Sequence, residues 1–218
     1  MTVITISRQV GSEGMAIARQ VARTLGYHVA GEEVMEWALR QYGLIQFKEV
    51  FERAPSFWDL FDEQFVLTAD MLDRVIKALA RHGDIVIIGR GSYAPLQGLA
   101  DVVNARIQAP RPVRVQRMMA RLGIDQVEAE ARVAEEDRVH AGFIEKAYKV
   151  RSDDATPFDL VIDTGHMSPD FASGLIVKAV RARLEQAPGA APTAAAFEVD
   201  GVLTGVINEA LVREVSSP

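Results

Sequence analysis

At 218 residues, with 49% hydrophobic and 25% charged side chains and a net charge of −6, the chain has the make-up of one α/β domain of about 180–200 residues carrying an appendage. An isoelectric point near 5.3 argues against broad nucleic-acid or anionic-membrane binding and leaves room only for a local basic pocket. The absence of cysteine excludes disulfides, thiolate zinc sites and cysteine nucleophiles, and no apolar run approaches the ~18 residues of a membrane span, so a soluble cytoplasmic protein is expected.

The first predicted element is a short strand at Val3-Ile4-Thr5-Ile6. A turn-rich segment, Ser7 to Gly14, separates it from Met15, Ile17, Ala18, Val21, Ala22 and Leu25, which recur at helical spacing until Gly26. Strand, glycine loop and helix in that order can bind an anion: glycines let backbone N–H groups approach it, and the helix contributes the positive end of its dipole. A short strand follows at Tyr27–Gly31. Glu32 and Glu33 then open a helix whose Val34, Met35, Ala38 and Leu39 face inward. Tyr42, Phe47, Phe51, Phe57, Trp58, Phe61 and Phe65 form an aromatic-rich stretch, divided at Pro55-Ser56 with Ser56 as N-cap, that suits a small helical core or a homodimer face.

Thr68 to Arg81 reads as an amphipathic helix. The run Ile85-Val86-Ile87-Ile88 reads as a central strand buried on both faces, ending in Gly89-Arg90-Gly91-Ser92 at the edge where open α/β sheets bind ligands. A strand at Asp101–Ala109 precedes a basic helix with Arg114, Arg117 and Arg121, whose positive side is expected to be a solvated face. The charged segment 125–151 is expected to form two helices broken near Gly142. Phe158–Thr164 is the last predicted strand, and Ser168-Pro169 starts a helix to about Leu184. Beyond it the Ala/Pro/Gly-rich stretch 186–196 reads as a flexible linker. Residues 197–218 read as a hairpin turning at Asp200-Gly201, followed by a short helix from Asn208. Alternation of strand and helix argues for a mainly parallel sheet flanked by helices. His28, His82, His140 and His166 do not fall at metal-ligand spacing, so no metal site is assigned.

Three separated segments carry a family resemblance: ITISRQVGSEGMAIA at the first strand and loop, IIGRGSYAPL at the central strand, and EEDRVHAGFIEKAY ahead of FDLVIDTG. Through them, residues 2 to about 184 resemble the cytidylate-kinase-like proteins of the P-loop nucleoside monophosphate kinase group. The resemblance implies a three-layer α/β P-loop NTPase fold over 1–185. It would carry a helical nucleotide-binding insertion at about 32–66 and a lid at about 126–152. It implies phosphoryl transfer from ATP, with Mg2+, to CMP or a related acceptor. It also implies that Gly11, Ser12, Glu13, Gly14, Met15 and Ala16 contact the donor phosphates, and that Arg90, with Glu32, Glu33 and Asp137, contacts the acceptor. Arg8, Arg90, Arg138 and Lys146 are the candidate catalytic cations, with Arg132, Lys149 and Arg151 as further lid charges.

The pattern also departs from the family. Met15 stands at the position of the phosphate-bridging lysine, Ala16 at that of the magnesium-side hydroxyl, Ile88 at an acidic position and Gly31 at an aspartate. Two functions follow as expectations: a divergent kinase in which Arg8 and a lid cation replace the lysine, or a nucleotide- or partner-binding protein that kept the fold without phosphoryl transfer.

Overall fold

The computed structural model describes residues 1–44, 63–185 and 189–215. Five parallel strands, β1 (Val3–Arg8), β2 (His28–Ala30), β3 (Ile85–Ile88), β4 (Val102–Gln108) and β5 (Leu160–Asp163), lie in the order β2-β3-β1-β4-β5. Among the described residues the helices are α1 (Gly14–Leu25), α2 (Glu32–Gln41), α3 (Glu63–His82), α4 (Arg111–Leu122), α5 (Gln126–Tyr148), α6 (Pro169–Glu185) and α7 (Gly201–Val215).

Alternation along the strands builds two cores. Ile4, Ile6, Val86 and Ile88 point to one face, where α1 and α6 supply Ile17, Val21, Ile176 and Val180. Val3, Ile85 and Ile87 point to the other, covered by Met35 and Leu39 of α2, Leu72 and Ile76 of α3, and Leu203, Ile207 and Leu211 of α7. Because β3 is covered on both sides, every one of its residues is apolar and buried. This is the expected three-layer arrangement. It sets the ends of β1 and β3 side by side, with Ile6 paired to Ile88, at one edge of the sheet.

Three expectations are corrected. The hairpin is not formed: Asp200-Gly201 starts a helix instead, with Asp200 Oδ1 accepting the Leu203 N–H at 2.8 Å, as an N-cap does. Leu203, Ile207, Ala210 and Leu211 share one helical stripe and are buried, and each of the larger three contributes roughly 1.5–3 kcal/mol of gross burial energy. The stretch before it is pinned rather than flexible at 192–194. Ala100 N donates to Pro192 O at 2.8 Å, and the buried Ala194 N–H donates to both Asp101 carboxylate oxygens at 2.8 and 3.0 Å. Finally, α5 runs unbroken through Gly142. A helical glycine costs about 1 kcal/mol, and the burial of Val139, Phe143 and Ile144 on either side outweighs it. Phe47, Phe51, Phe57, Trp58 and Phe61, with the Pro55-Ser56 break, lie outside the described residues; Phe65 is buried on α3.

Candidate active site

The site begins where β1 runs out. Gln9 N donates to Ile107 O at 3.1 Å and Gln9 Oε1 accepts the Ala109 N–H at 3.2 Å, so the chain leaves the sheet tied to the end of β4. Gly11 takes φ +74°, and a Cβ there would meet Arg114 O at 2.9 Å, so the loop passes too close to α4 for any other residue. The buried Ser12 folds its N–H and its hydroxyl onto Gln9 O. Glu13, at φ +65°, precedes α1 without a side-chain cap, and the first helical donor is Ile17 N, to Glu13 O at 3.1 Å. The N–H groups of Gly14, Met15 and Ala16 therefore lie ahead of the helical ladder, at the positive end of α1.

Two arginines reach this loop from the strand ends. Arg8 lies across Gly14, where a Cβ would sit 2.7 Å from Arg8 Cβ, and its guanidinium ends where a Cβ on Gly89 would collide with it. Arg90 occupies the left-handed region (φ +52°) between Gly89 (+75°) and Gly91 (+68°), an unfavourable conformation for a residue with a side chain. It is held there by ion pairs to Glu32 and, at 3.7 Å, Glu36, while Tyr148 donates its phenol proton to Arg90 O at 3.2 Å. Burial lowers the Arg8 pKa, with Glu136 opposing the effect. Burial and the neighbouring Arg8 charge bring Arg90 down to about 10. His140 of α5 is pushed down to about 4 by burial and by Arg8, Arg90 and Arg106, so it is neutral at pH 7.

These groups line a cavity of about 860 Å³ at the carboxyl ends of β1 and β3. Of the residues singled out in the sequence, Arg8, Gly11, Glu13, Gly14, Met15, Ala16, Glu32, Arg90 and Asp137 line it together. Ser12 lies buried beneath the loop, Glu33 is exposed elsewhere on α2, and Lys146 is not part of the lining. Arg138 points outward along α5, where it pairs with Glu135 at 2.7 Å on an exposed surface; the α5 cation that faces the cavity is Arg132. Arg106, Arg121 and His140 also line it and were not among the site residues singled out in the sequence. Arg106, one residue before the apolar Ile107 on a strand ending beside the loop, carried a readable signal; His140 is set apart by the arginines gathered around it, which sequence does not show.

The basic face of α4 is corrected most sharply. It is not solvated. Arg114 is 4% exposed, donating Nε to Ala109 O at 3.0 Å, Nη1 to Val10 O at 3.4 Å, and a two-pronged pair to Asp137 at 2.9 and 2.8 Å. Arg117 donates to Gly11 O at 3.2 Å and to Thr164 Oγ1 and O at 3.0 and 2.7 Å, and Thr164 Oγ1 donates in turn to Ser12 O at 2.9 Å. The Glu13 carboxylate leans toward Arg117, 4.0 Å away.

The side chains suit a polyphosphate better than a magnesium ion held in P-loop fashion. Ala16 and Ile88 line the cavity without an oxygen donor, and among the described residues no three His, Asp or Glu side chains converge on a metal position. No described helix is long and apolar enough to cross a membrane.

Residues 3–166 match the cytidylate kinase-like family. The chain is 29% identical over 195 residues to a cytidylate kinase of Methanopyrus kandleri, covering 84% of this chain and 95% of that one. It is 30% identical over 176 residues to a cytidylate kinase of Ignicoccus hospitalis, covering 78% and 94%. Among solved structures, an uncharacterized protein from Eubacterium ventriosum aligns with a TM-score of 0.66 at 18% identity, over 83% of this chain and 99% of that one. Shikimate kinase from Bacteroides thetaiotaomicron aligns at 0.50 and 14% identity, over 85% and 99%. The structural likenesses establish an α/β P-loop kinase fold, and the sequence match settles membership: this chain belongs to the cytidylate kinase-like family.

Proposed function

We propose that the chain is a cytoplasmic, ATP-dependent nucleoside monophosphate kinase whose acceptor is CMP or a related phosphate-bearing molecule. What supports this is one observation above the others: Arg8 and Arg90, both desolvated and mutually repelling, flank the N-terminus of α1 inside a cavity of nucleotide size. An anion between them relieves the repulsion. Phosphoryl transfer asks for placed cations and N–H groups rather than covalent help. In this reading the loop N–H groups ahead of Ile17 hold the donor's phosphates, and Arg8 supplies the charge that Met15 lacks. Arg90, oriented by Glu32 and Glu36, receives the acceptor phosphate, while Arg132 faces the transferring group from α5. Arg138 and Lys146 reach it only through a movement of α5. No step is assigned to magnesium, because the positions that would hold it carry Ala16 and Ile88.

Those same two residues, with Met15, favour a second reading: a nucleotide-binding protein that kept the fold without turnover. Incubation with ATP, Mg2+ and a panel of nucleoside monophosphates separates the two. ADP production above that of a Gly14→Asp control, dependent on one acceptor, supports the kinase. A nucleotide-induced rise in melting temperature with no ADP above control supports the binding protein instead.

A further inference from the structure

Loop carbonyls compete with loop N–H groups for the space in which an anion would sit. Three successive carbonyls, those of Val10, Gly11 and Ser12, are drawn away to Arg114, Arg117 and Thr164. Across a trans peptide the carbonyl and the following N–H point in opposite directions. Turning Val10 O and Ser12 O toward α4 and β5 therefore turns the Gly11 and Glu13 N–H groups the other way. The Ser12 N–H, by contrast, closes back on Gln9 O. The loop's polarity is thus imposed from behind, by side chains that do not themselves face the cavity, since neither Arg114 nor Arg117 lines it.

Arg114 cannot do this alone. Its guanidinium is buried, and a buried cation needs a partner. That partner is Asp137, in the middle of α5, whose two oxygens are both taken by Arg114. The carboxylate expected at the acceptor is engaged in a brace.

We propose that Arg114 and Asp137 are positioning residues that latch α5 to the back of the glycine loop, so that the placement of α5 sets the orientation of the loop's N–H groups. This deepens the reading above, on which its consequence for phosphate binding rests. The latch makes loop order depend on a residue of another helix. Asp137→Asn removes the charge while keeping the shape; Asp137→Glu restores the charge one methylene further out. Replacing both ends, Arg114→Met with Asp137→Leu, removes the buried charge problem together with the latch.

Backbone 15N relaxation of the protein tests this directly. In the parent the amides of Gly11–Glu13 have order parameters near 0.85; in Asp137→Asn they fall below about 0.6, while β1 and β3 are unchanged, and Asp137→Glu recovers part of the loss. The double variant melts within a few degrees of the parent yet keeps the disordered loop. A loop that stays rigid in the double variant overturns the proposal, because the pair would then only neutralise charge, and the double variant decides the matter even where Asp137→Asn fails to fold. Calorimetry with pyrophosphate gives the linked readout: the dissociation constant rises about tenfold in the double variant through the cost of re-ordering the loop. A parent that binds no pyrophosphate counts against the nucleotide reading, while the relaxation data still decide the latch.

Discussion

Two sets of arginines surround the glycine loop, and their surroundings are opposite. Behind it, Arg114 and Arg117 are saturated by a carboxylate and by backbone carbonyls. In front of it, Arg8 and Arg90 are desolvated, and Arg8's charge is one reason the Arg90 pKa falls to about 10. The same residue type thus serves as scaffold in one place and lines the cavity in the other. The difference lies in which partners the fold supplies, not in local sequence. A saturated arginine stabilises the loop's shape; one that lines the cavity, Arg8 foremost since Arg90 already pairs with Glu32 and Glu36, is where an anion in the cavity would gain most.

The contrast breaks most visibly by deleting one arginine from each set. Arg8→Met is expected to lower kcat/KM about 10²–10³-fold, the scale of a preorganised electrostatic donor, with the melting temperature unchanged or raised. Arg114→Met is expected to lower the melting temperature by roughly 5–15 °C, since it strands Asp137 without its cation. Turnover measured beside thermal melts checks both, and the opposite pattern would reverse the assignment of the two sets. Gly89→Ala is a finer cut. Its Cβ falls on the Arg8 guanidinium, so kcat/KM should drop about 10²-fold by misplacing that charge, beyond the cost of a left-handed alanine.

The smallest expected effect is a pH dependence. His140 has a folded-state pKa depressed to about 4 against an unfolded value near 6.5. The unfolded chain then binds the extra proton first, so stability is full above pH 6.5 and falls by about 1 kcal/mol per pH unit between 6.5 and 4. Denaturant melts across that range should lose this slope in His140→Gln. Added pyrophosphate should shrink the loss, by offsetting the arginines that disfavour imidazolium and so raising the folded-state pKa toward its unfolded value.

Much of the architecture was legible because it is local. Ile85–Ile88 announced a doubly covered strand, and the stripe of α1 announced its buried face. What escaped had distant causes. Arg114 looks like surface charge on any helical wheel, because Asp137 lies 23 residues away and Val10 lies 104. Asp137 was assigned to the acceptor by resemblance, since nothing in the sequence tells a carboxylate facing a ligand from one facing an arginine. The C-terminal helix was misread for another reason. Asp-Gly is both a hairpin turn and a helix start, and the stripe Leu203, Ile207, Ala210, Leu211 that settles it lay in plain view. Arg8 was legible as a candidate cation, whereas its path between Gly14 and Gly89 was not, because two glycines far apart in sequence meet only in the fold.

That C-terminal helix separates two units that are easily equated. The family match ends at residue 166, but the hydrophobic core continues to Leu211, with Ile207 and Leu211 packed in one cluster with β2, α2 and α3. The Arg213 guanidinium lies 5.0 Å from the Trp37 ring of α2. The segment matched by the family is therefore shorter than the folding unit. α2, which brings Glu32 to the cavity, rests on this C-terminal helix, so a substitution at Ile207 or Leu211 acts on the cavity wall through α2 without altering a single cavity residue.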